Sequence, residues 1–312
     1  MTDFSKGFTR REFAAGALRA VPAAGLVSRL FAAEPPAAEA LAGMQAKKMS
    51  GVQIGAITYS FRSIPNPVEI IAAMKAIGLT EAEVMSGDIE KLAGAPAVGR
   101  GASREPLVAW RKAATSAMFR AVRKPFNDAG IEVRFLTYNM NGNTTDEEIE
   151  YAFNMAAALG AKAMTTSTQV SVAKRIAPFA DKHKMMVGFH GHSNITNPDE
   201  FATPESFAAA MAMSKYHGVN LDIGHFTAAN YDALAYIKEH HARITNLHLK
   251  DRKKDQGANV PWGEGDTPIK DVLRLLKQEK WDIPANIEYE YRGADTVAEV
   301  GKCFQFCKDA LK

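Results

Sequence analysis

A chain of 312 residues with 46% hydrophobic and 23% charged residues is ordinary for a soluble globular protein of one large domain or two, and the composition excludes general disorder. The formal net charge of +3 sits in the first 33 residues, which hold five basic residues (Lys6, Arg10, Arg11, Arg19, Arg29) and two acidic ones (Asp3, Glu12), leaving 33 of each sign in the remainder. So balanced a remainder offers no basic footprint for nucleic acid.

The leader reads Thr9-Arg10-Arg11-Glu12-Phe13, then a modestly apolar Ala/Gly/Leu stretch, then Leu30-Phe31-Ala32-Ala33. This resembles a bacterial twin-arginine export signal, with Ala14 where a Leu is usual and Arg19 interrupting the apolar run. The run is too short and too broken for a transmembrane helix. The expected organisation is an export signal over 1–33, a linker over 34–50 and a folded domain over 51–312.

From Val52 onward, short Val- and Ile-rich runs alternate with longer segments of helical period, the pattern of repeated βα units around a parallel sheet. Strands are expected near 52–58, 80–85, 131–136, 161–166, 185–190, 219–223, 244–249 and 284–289. Eight strands in this length match a single (β/α)8 TIM barrel. A doubly wound open sheet fits less well, because Tyr59-Ser60-Phe61-Arg62 follows the first strand where a Gly-rich phosphate loop would stand. Thr144-Thr145-Asp146-Glu147-Glu148 opens a helix that Gly160 ends. Residues 86–124 are longer than a plain βα unit needs and are expected to insert a loop over the barrel mouth, with Leu107 to Phe126 as one helix. Residues 255–267 form another long loop on that face. The only cysteines, Cys303 and Cys307, lie one helical turn apart and read as packing residues, with no disulfide framework or zinc motif.

Each of the last four strands ends in metal-ligand residue types: Phe189-His190-Gly191-His192, Leu221-Asp222-Ile223-Gly224-His225, Leu247-His248-Leu249-Lys250-Asp251 and Ile287-Glu288-Tyr289-Glu290. A parallel barrel gathers such ends at one mouth, where barrel enzymes place their chemistry. Residues two apart share a strand face, so His190 and His192 can point together, as can Glu288 and Glu290. A lone histidine is more often a hydrogen-bonded core residue, the role expected for His183, His217, His240 and His241 at helix ends or turns. Charged groups on four successive strand ends are harder to dismiss, because burying them is costly unless they are paired or liganding. A His190/Asp222/His248/Glu288 set suits Mn²⁺, Co²⁺, Fe²⁺ or Zn²⁺ better than Ca²⁺ or Mg²⁺.

The chain from 52 to 312 resembles the xylose isomerase-like barrels known as sugar phosphate isomerases and epimerases. The resemblance is carried by Asn220-Leu221-Asp222-Ile223-Gly224-His225, His248-Leu249-Lys250-Asp251-Arg252, Trp262-Gly263-Glu264-Gly265-Asp266 and Ile287-Glu288-Tyr289-Glu290. It implies metal ligation by Asp222, His248 and Glu288, and substrate contacts at His225, Lys250 and Glu83. Trp262 and Glu264 are further candidate substrate contacts, Trp262 as a stacking lid or a loop anchor. Where epimerases of the family carry a fifth-strand glutamate, this chain has His190, and His190-Gly191-His192 is similar to the His-x-His of inosose dehydratase-like members. Glu288, His192 and Lys250 are the expected catalytic residues.

The expected function is a metal-dependent isomerase or epimerase that enolises a free sugar or keto-sugar. The alternatives are a metal-dependent lyase or hydratase of 3-keto or inosose-type sugars and a non-catalytic sugar-binding barrel. The expected partner is a small-molecule sugar, with no nucleic acid and no stable membrane anchor. A homo-oligomer is compatible with the sequence, and the expected location is the periplasm, reached by the twin-arginine route.

Overall fold

The computed structural model describes residues 46–99 and 101–312. The expected export signal and most of the expected linker lie outside the described residues. Eight parallel strands close into one barrel in sequence order: β1 (Ile54–Ile57), β2 (Glu81–Met85), β3 (Glu132–Thr137), β4 (Ala163–Thr166), β5 (Met186–His190), β6 (His217–Asp222), β7 (Ile244–Leu249) and β8 (Ala285–Ile287). The barrel closes where Ile54 of β1 pairs with Ala285 of β8. Around it run α1 (Pro67–Ile77), α2 (Ser86–Leu92), α3 (Glu105–Ala113), α4 (Ser116–Ala129), α5 (Asp146–Leu159), α6 (Val170–His183), α7 (Pro204–Met211), α8 (Ile223–Ala228), α9 (Ala233–His240), α10 (Ile269–Glu279) and α11 (Thr296–Leu311). None of the helices among the described residues is long and apolar enough to cross a membrane.

Alternation along each strand divides the core in two. Ala82, Val84, Leu136, Met164, Val187, Val219, Leu221, Leu247 and Ile287 belong to the continuous apolar cluster that the helices cover. The other face is polar: Glu81, Glu83, Thr165, Asn220, Asn246, His248 and Asn286 are all buried in the barrel interior. Burying so many polar groups is tolerable only where they satisfy one another.

Two expectations about the helical layer are revised. The single helix expected over Leu107 to Phe126 is two, because Thr115 takes an extended conformation and its side chain accepts from Met118 N, starting α4 afresh. The segment after β2 is not a plain loop either, since Ser86–Leu92 forms α2 directly on the strand end. The Thr145 start of α5 is as expected, with Thr145 Oγ1 accepting from Glu148 N and Glu148 Oε2 from Thr145 N, and Gly160 closes the helix at φ +68°.

His217 begins β6 instead of lying in a turn; its Nδ1 meets Ala210 O at 2.9 Å and its ring packs edge-on against Phe189. His183 stacks on Phe153 at a centroid distance of 5.0 Å. Cys303 and Cys307 are buried, unpaired packing residues of α11.

Candidate metal centre

The parallel register brings the strand ends level. Asp222, the last residue of β6, pairs with His248 of β7, and Leu249 pairs with Ile287, which places Glu288 one step above β8. His190 closes β5. The result is a buried group of His190, Asp222, His248 and Glu288 whose ligand atoms, one from each, all lie within 4.8 Å of one another. These are the four residues expected from the strand ends, gathered at the mouth.

The local backbone explains each placement. Asp222 ends its strand and caps α8, its Oδ1 accepting from His225 N at 2.8 Å, while Oδ2 takes no hydrogen bond and faces the Lys250 ammonium at 2.9 Å. Gly224 lets the β7 exit pass close by: a Cβ there would lie 2.5 Å from Lys250 Cγ and 2.6 Å from Lys250 O. His190 Nδ1 is buried with no hydrogen-bond partner. Two imidazoles and two carboxylates, with an unpartnered buried ring nitrogen among them, fit a divalent transition metal.

Charge balance at the centre is tight. Lys250 is 2% exposed and its Nζ meets Asp222 Oδ2 at 2.9 Å, Glu288 Oε2 at 3.0 Å and Glu290 Oε2. Burial disfavours that charge, but the three carboxylates outweigh burial and hold Lys250 charged. Burial would likewise lift Glu288, yet Lys250 and His248 hold it well below the carboxylate range. Burial together with the Glu288 charge lifts Asp222. His248 stands between two carboxylates, Nε2 at 2.7 Å from Glu83 Oε2 and Nδ1 at 2.9 Å from Glu288 Oε2, which against burial raise it well above an ordinary histidine. Burial lowers His190 and His225, with nearby cations adding to the effect.

Above this floor lies a cavity of about 370 Å³, lined among others by His190, His192, His225, His248, Lys250 and Glu288. One wall is less polar, formed by Ile57, Tyr59 and Met85 at the ends of β1 and β2, and next to it Asn139 and Ser167 follow β3 and β4. His192 Nε2 is 3.1 Å from Ser167 Oγ, and its Nδ1 lies 3.8 Å from Glu200. His225 lies between two cations, its Nδ1 2.7 Å from an Arg252 nitrogen and its Nε2 3.1 Å from Lys250 Nζ, and a neutral ring accepts from one of them.

Three of the residues expected to contact substrate do not line this cavity. Glu83 is wholly buried and does not line the cavity, because its carboxylate is taken up by the interior Asn246, Asn286 and His248. Trp262 and Glu264 line a different crevice, between the loop after β7 and α11, with Trp262 edge-on to Phe306 at 5.7 Å. The reason is Asp251, whose carboxylate accepts from Gly263 N, Gly265 N and Thr267 N and pins that loop down beside the barrel. Conversely, Asn139, Ser167, Glu200, Arg252 and Ser193 were not anticipated. Asn139 and Ser167 follow β3 and β4 closely, so reading the ends of all eight strands would have found them.

A search among curated protein sequences finds no significant match. Among solved structures, a probable 3-DHS dehydratase, AsbF, of Bacillus anthracis superposes with a TM-score of 0.60 at 14% identity, covering 81% of this chain and 98% of that one. A D-allulose 3-epimerase from Methylomonas sp. superposes with a TM-score of 0.57 at 13% identity, covering 86% and 99%. The IOLI protein with a bound zinc atom gives 0.60 at 12% identity, covering 83% and 98%. At these identities the likeness is one of fold. Residues 91–309, however, match the family model of the xylose isomerase-like TIM barrel, so the chain belongs to that family.

Proposed function

We propose that this protein is a metal-dependent isomerase or epimerase of a free sugar or keto-sugar, acting by enolisation. The observation that carries the reading is the meeting of four ligand atoms within 4.8 Å on the floor of a sugar-sized cavity, with Lys250 in contact with two of the ligands. His190, Asp222, His248 and Glu288 would hold Zn²⁺, Mn²⁺, Co²⁺ or Fe²⁺. Such an ion acts as a Lewis acid that polarises a carbonyl. The zinc of the IOLI protein and the epimerase and dehydratase names of other structural neighbours support the choice.

The chain's own groups handle the proton. Glu288, held ionised by Lys250 and His248, takes the proton from the carbon beside the carbonyl. The electron pair moves onto the carbonyl oxygen, and the Lys250 ammonium faces the charge that develops there. Return of the proton to the neighbouring carbon by the Glu288 acid, with the adjacent hydroxyl's proton passing to the former carbonyl oxygen, completes an aldose–ketose isomerisation with one carbon acid–base group. Epimerisation needs a second group, and His192, backed by Ser167 and Glu200, is placed to supply it. The wall of Ile57, Tyr59 and Met85 suits the C–H face of a sugar ring.

The substrate is read as neutral. Among the described residues that line the cavity, Lys250 is the only Lys or Arg, and three carboxylates already surround it. That leaves no cradle for a phosphate. Export through the twin-arginine signal, read from Thr9-Arg10-Arg11-Glu12-Phe13, belongs to the same proposal and fits a periplasmic free sugar.

The second reading is a lyase that eliminates water from an oxidised sugar. It is favoured by His190 standing in place of a carboxylate and by His192 beside the cavity as proton donor to a leaving hydroxyl. Incubating protein loaded with Mn²⁺, Co²⁺ or Zn²⁺ with aldoses, ketoses and 3-keto-sugars in D₂O tests both. Deuterium should enter beside the carbonyl, and Glu288→Gln should slow exchange by roughly 10²–10⁴-fold. Exchange with loss of water assigns the lyase. Sugars that bind the loaded protein without exchange or conversion would leave a sugar-binding barrel as the function.

A further inference from the structure

The barrel interior beneath the cavity is organised around one carboxylate. Glu83, on β2, receives hydrogen bonds from five other strands: from Thr137 Oγ1 at 3.0 Å, Thr165 Oγ1, Asn220 Nδ2 at 3.4 Å, Asn246 Nδ2 at 2.9 Å, Asn286 Nδ2 at 3.0 Å and His248 Nε2 at 2.7 Å. Two residues earlier on the same strand, Glu81 is just as buried, yet neither of its oxygens has a partner. The contrast separates a carboxylate built into a network from one merely enclosed.

We infer that Glu83 is a positioning residue for the metal centre: it holds His248 with the proton on Nε2, so that Nδ1 presents its lone pair to the cation. This rests on the metal reading above. An ionised carboxylate only accepts, so each ring nitrogen directs a hydrogen at its own carboxylate, and a cation held beside Glu288 can displace only the one on Nδ1, leaving Nε2–H on Glu83 Oε2 at 2.7 Å. The other nitrogen, Nδ1, lies 2.9 Å from Glu288 Oε2, within the ligand group. The opposite tautomer would aim a proton at the cation and leave Glu83 facing a bare lone pair. Partners of this kind orient ligating histidines and raise their basicity, and their loss typically weakens metal binding by about 10–100-fold. Besides His248, five neutral donors converge on Glu83 from five strands, and hydrogen bonds to the charged form favour that form.

The test uses zinc as the probe, on the full chain with ¹⁵N-labelled histidine. In the zinc-loaded wild type, two-bond ¹H–¹⁵N correlations should show His248 protonated on Nε2 and bound through Nδ1. Glu83→Gln, whose amide can donate as well as accept, should lower zinc affinity about 10–100-fold and disturb that pattern. Glu81→Gln, an equally buried change on the same strand that touches no ligand, should leave zinc affinity within about twofold. His248 bound through Nε2 in the wild type overturns the inference whether or not Glu83→Gln folds. So does unchanged zinc affinity in a folded Glu83→Gln, or an equal loss in Glu81→Gln. A wild type that takes up no zinc, manganese, cobalt or iron overturns the metal reading itself.

Discussion

At the scale of single residues, Lys250 links the electrostatics of the centre to its proposed chemistry. Its ammonium is the largest influence lowering Glu288, so replacing it with the similarly long, neutral Met lifts Glu288. A general base works only when deprotonated, and activity falls as pH drops through its pKa. In Lys250→Met the acid limb of kcat/KM should therefore move to higher pH, and kcat at the optimum should fall by about 10²–10³-fold through loss of a donor to the oxyanion. A pH–rate series checks both, and an unmoved acid limb would mean that Glu288 is not the base. Lys250, with His190, Asp222, His248 and Glu288, was legible in the sequence because one rule, ionisable types at the C-terminal ends of parallel strands, selects all of them. Glu83 obeys the same alternation but lies a layer deeper, and depth along the barrel axis depends on strand stagger that one sequence does not reveal.

At the scale of elements, the 251–267 connection shows how a loop's local partners decide what its side chains can reach. Asp251, 3% exposed, accepts from three backbone N–H groups, and a Cβ on Gly265 would collide with its carboxylate. Asp251→Ala should lose about 1.5–3 kcal/mol through those charge-assisted bonds and free Trp262 from its edge-on contact with Phe306, seen as a lower unfolding midpoint and changed tryptophan fluorescence, with metal uptake retained. Loss of metal together with the loop would show that the connection shapes the centre after all. The Trp262-Gly263-Glu264-Gly265-Asp266 run was visible as a motif, yet its direction was not, since that depends on Asp251 reaching forward to residues 263–267. Strands were more legible than helices: all eight occur where Val- and Ile-rich runs predict them. The division of 107–126 into α3 and α4 was missed because the start of α4 pairs Thr115 with Met118, not with the Glu or Gln of a familiar capping box.

For the whole molecule, the proposed metal would couple its binding to the stability of the barrel, because the four groups come from four adjacent strands and are brought together only by folding. Zinc at about 100 times its Kd should add about 2.7 kcal/mol to stability, which for a domain of this size is an unfolding midpoint higher by about 5–10 °C. The pH dependence has a definite sign. His248 is raised by Glu83 and Glu288 well above the 6.5 of an unperturbed histidine, so in the metal-free barrel its ion pairs contribute fully below that pH and are lost as pH rises through the folded pKa. Zinc held by His248 as inferred would have to displace the proton on Nδ1, so its binding would release that proton and grow tighter as pH rises. The two effects oppose each other: where the metal-free protein loses the imidazolium, the zinc-loaded one gains most. Thermal unfolding with chelator and with zinc, at pH 5.5 and pH 8, should thus show a larger zinc shift at the higher pH. An equal shift at both would place the bound ion away from His248, and the absence of any shift would leave the four strand ends as a buried ion-pair network alone.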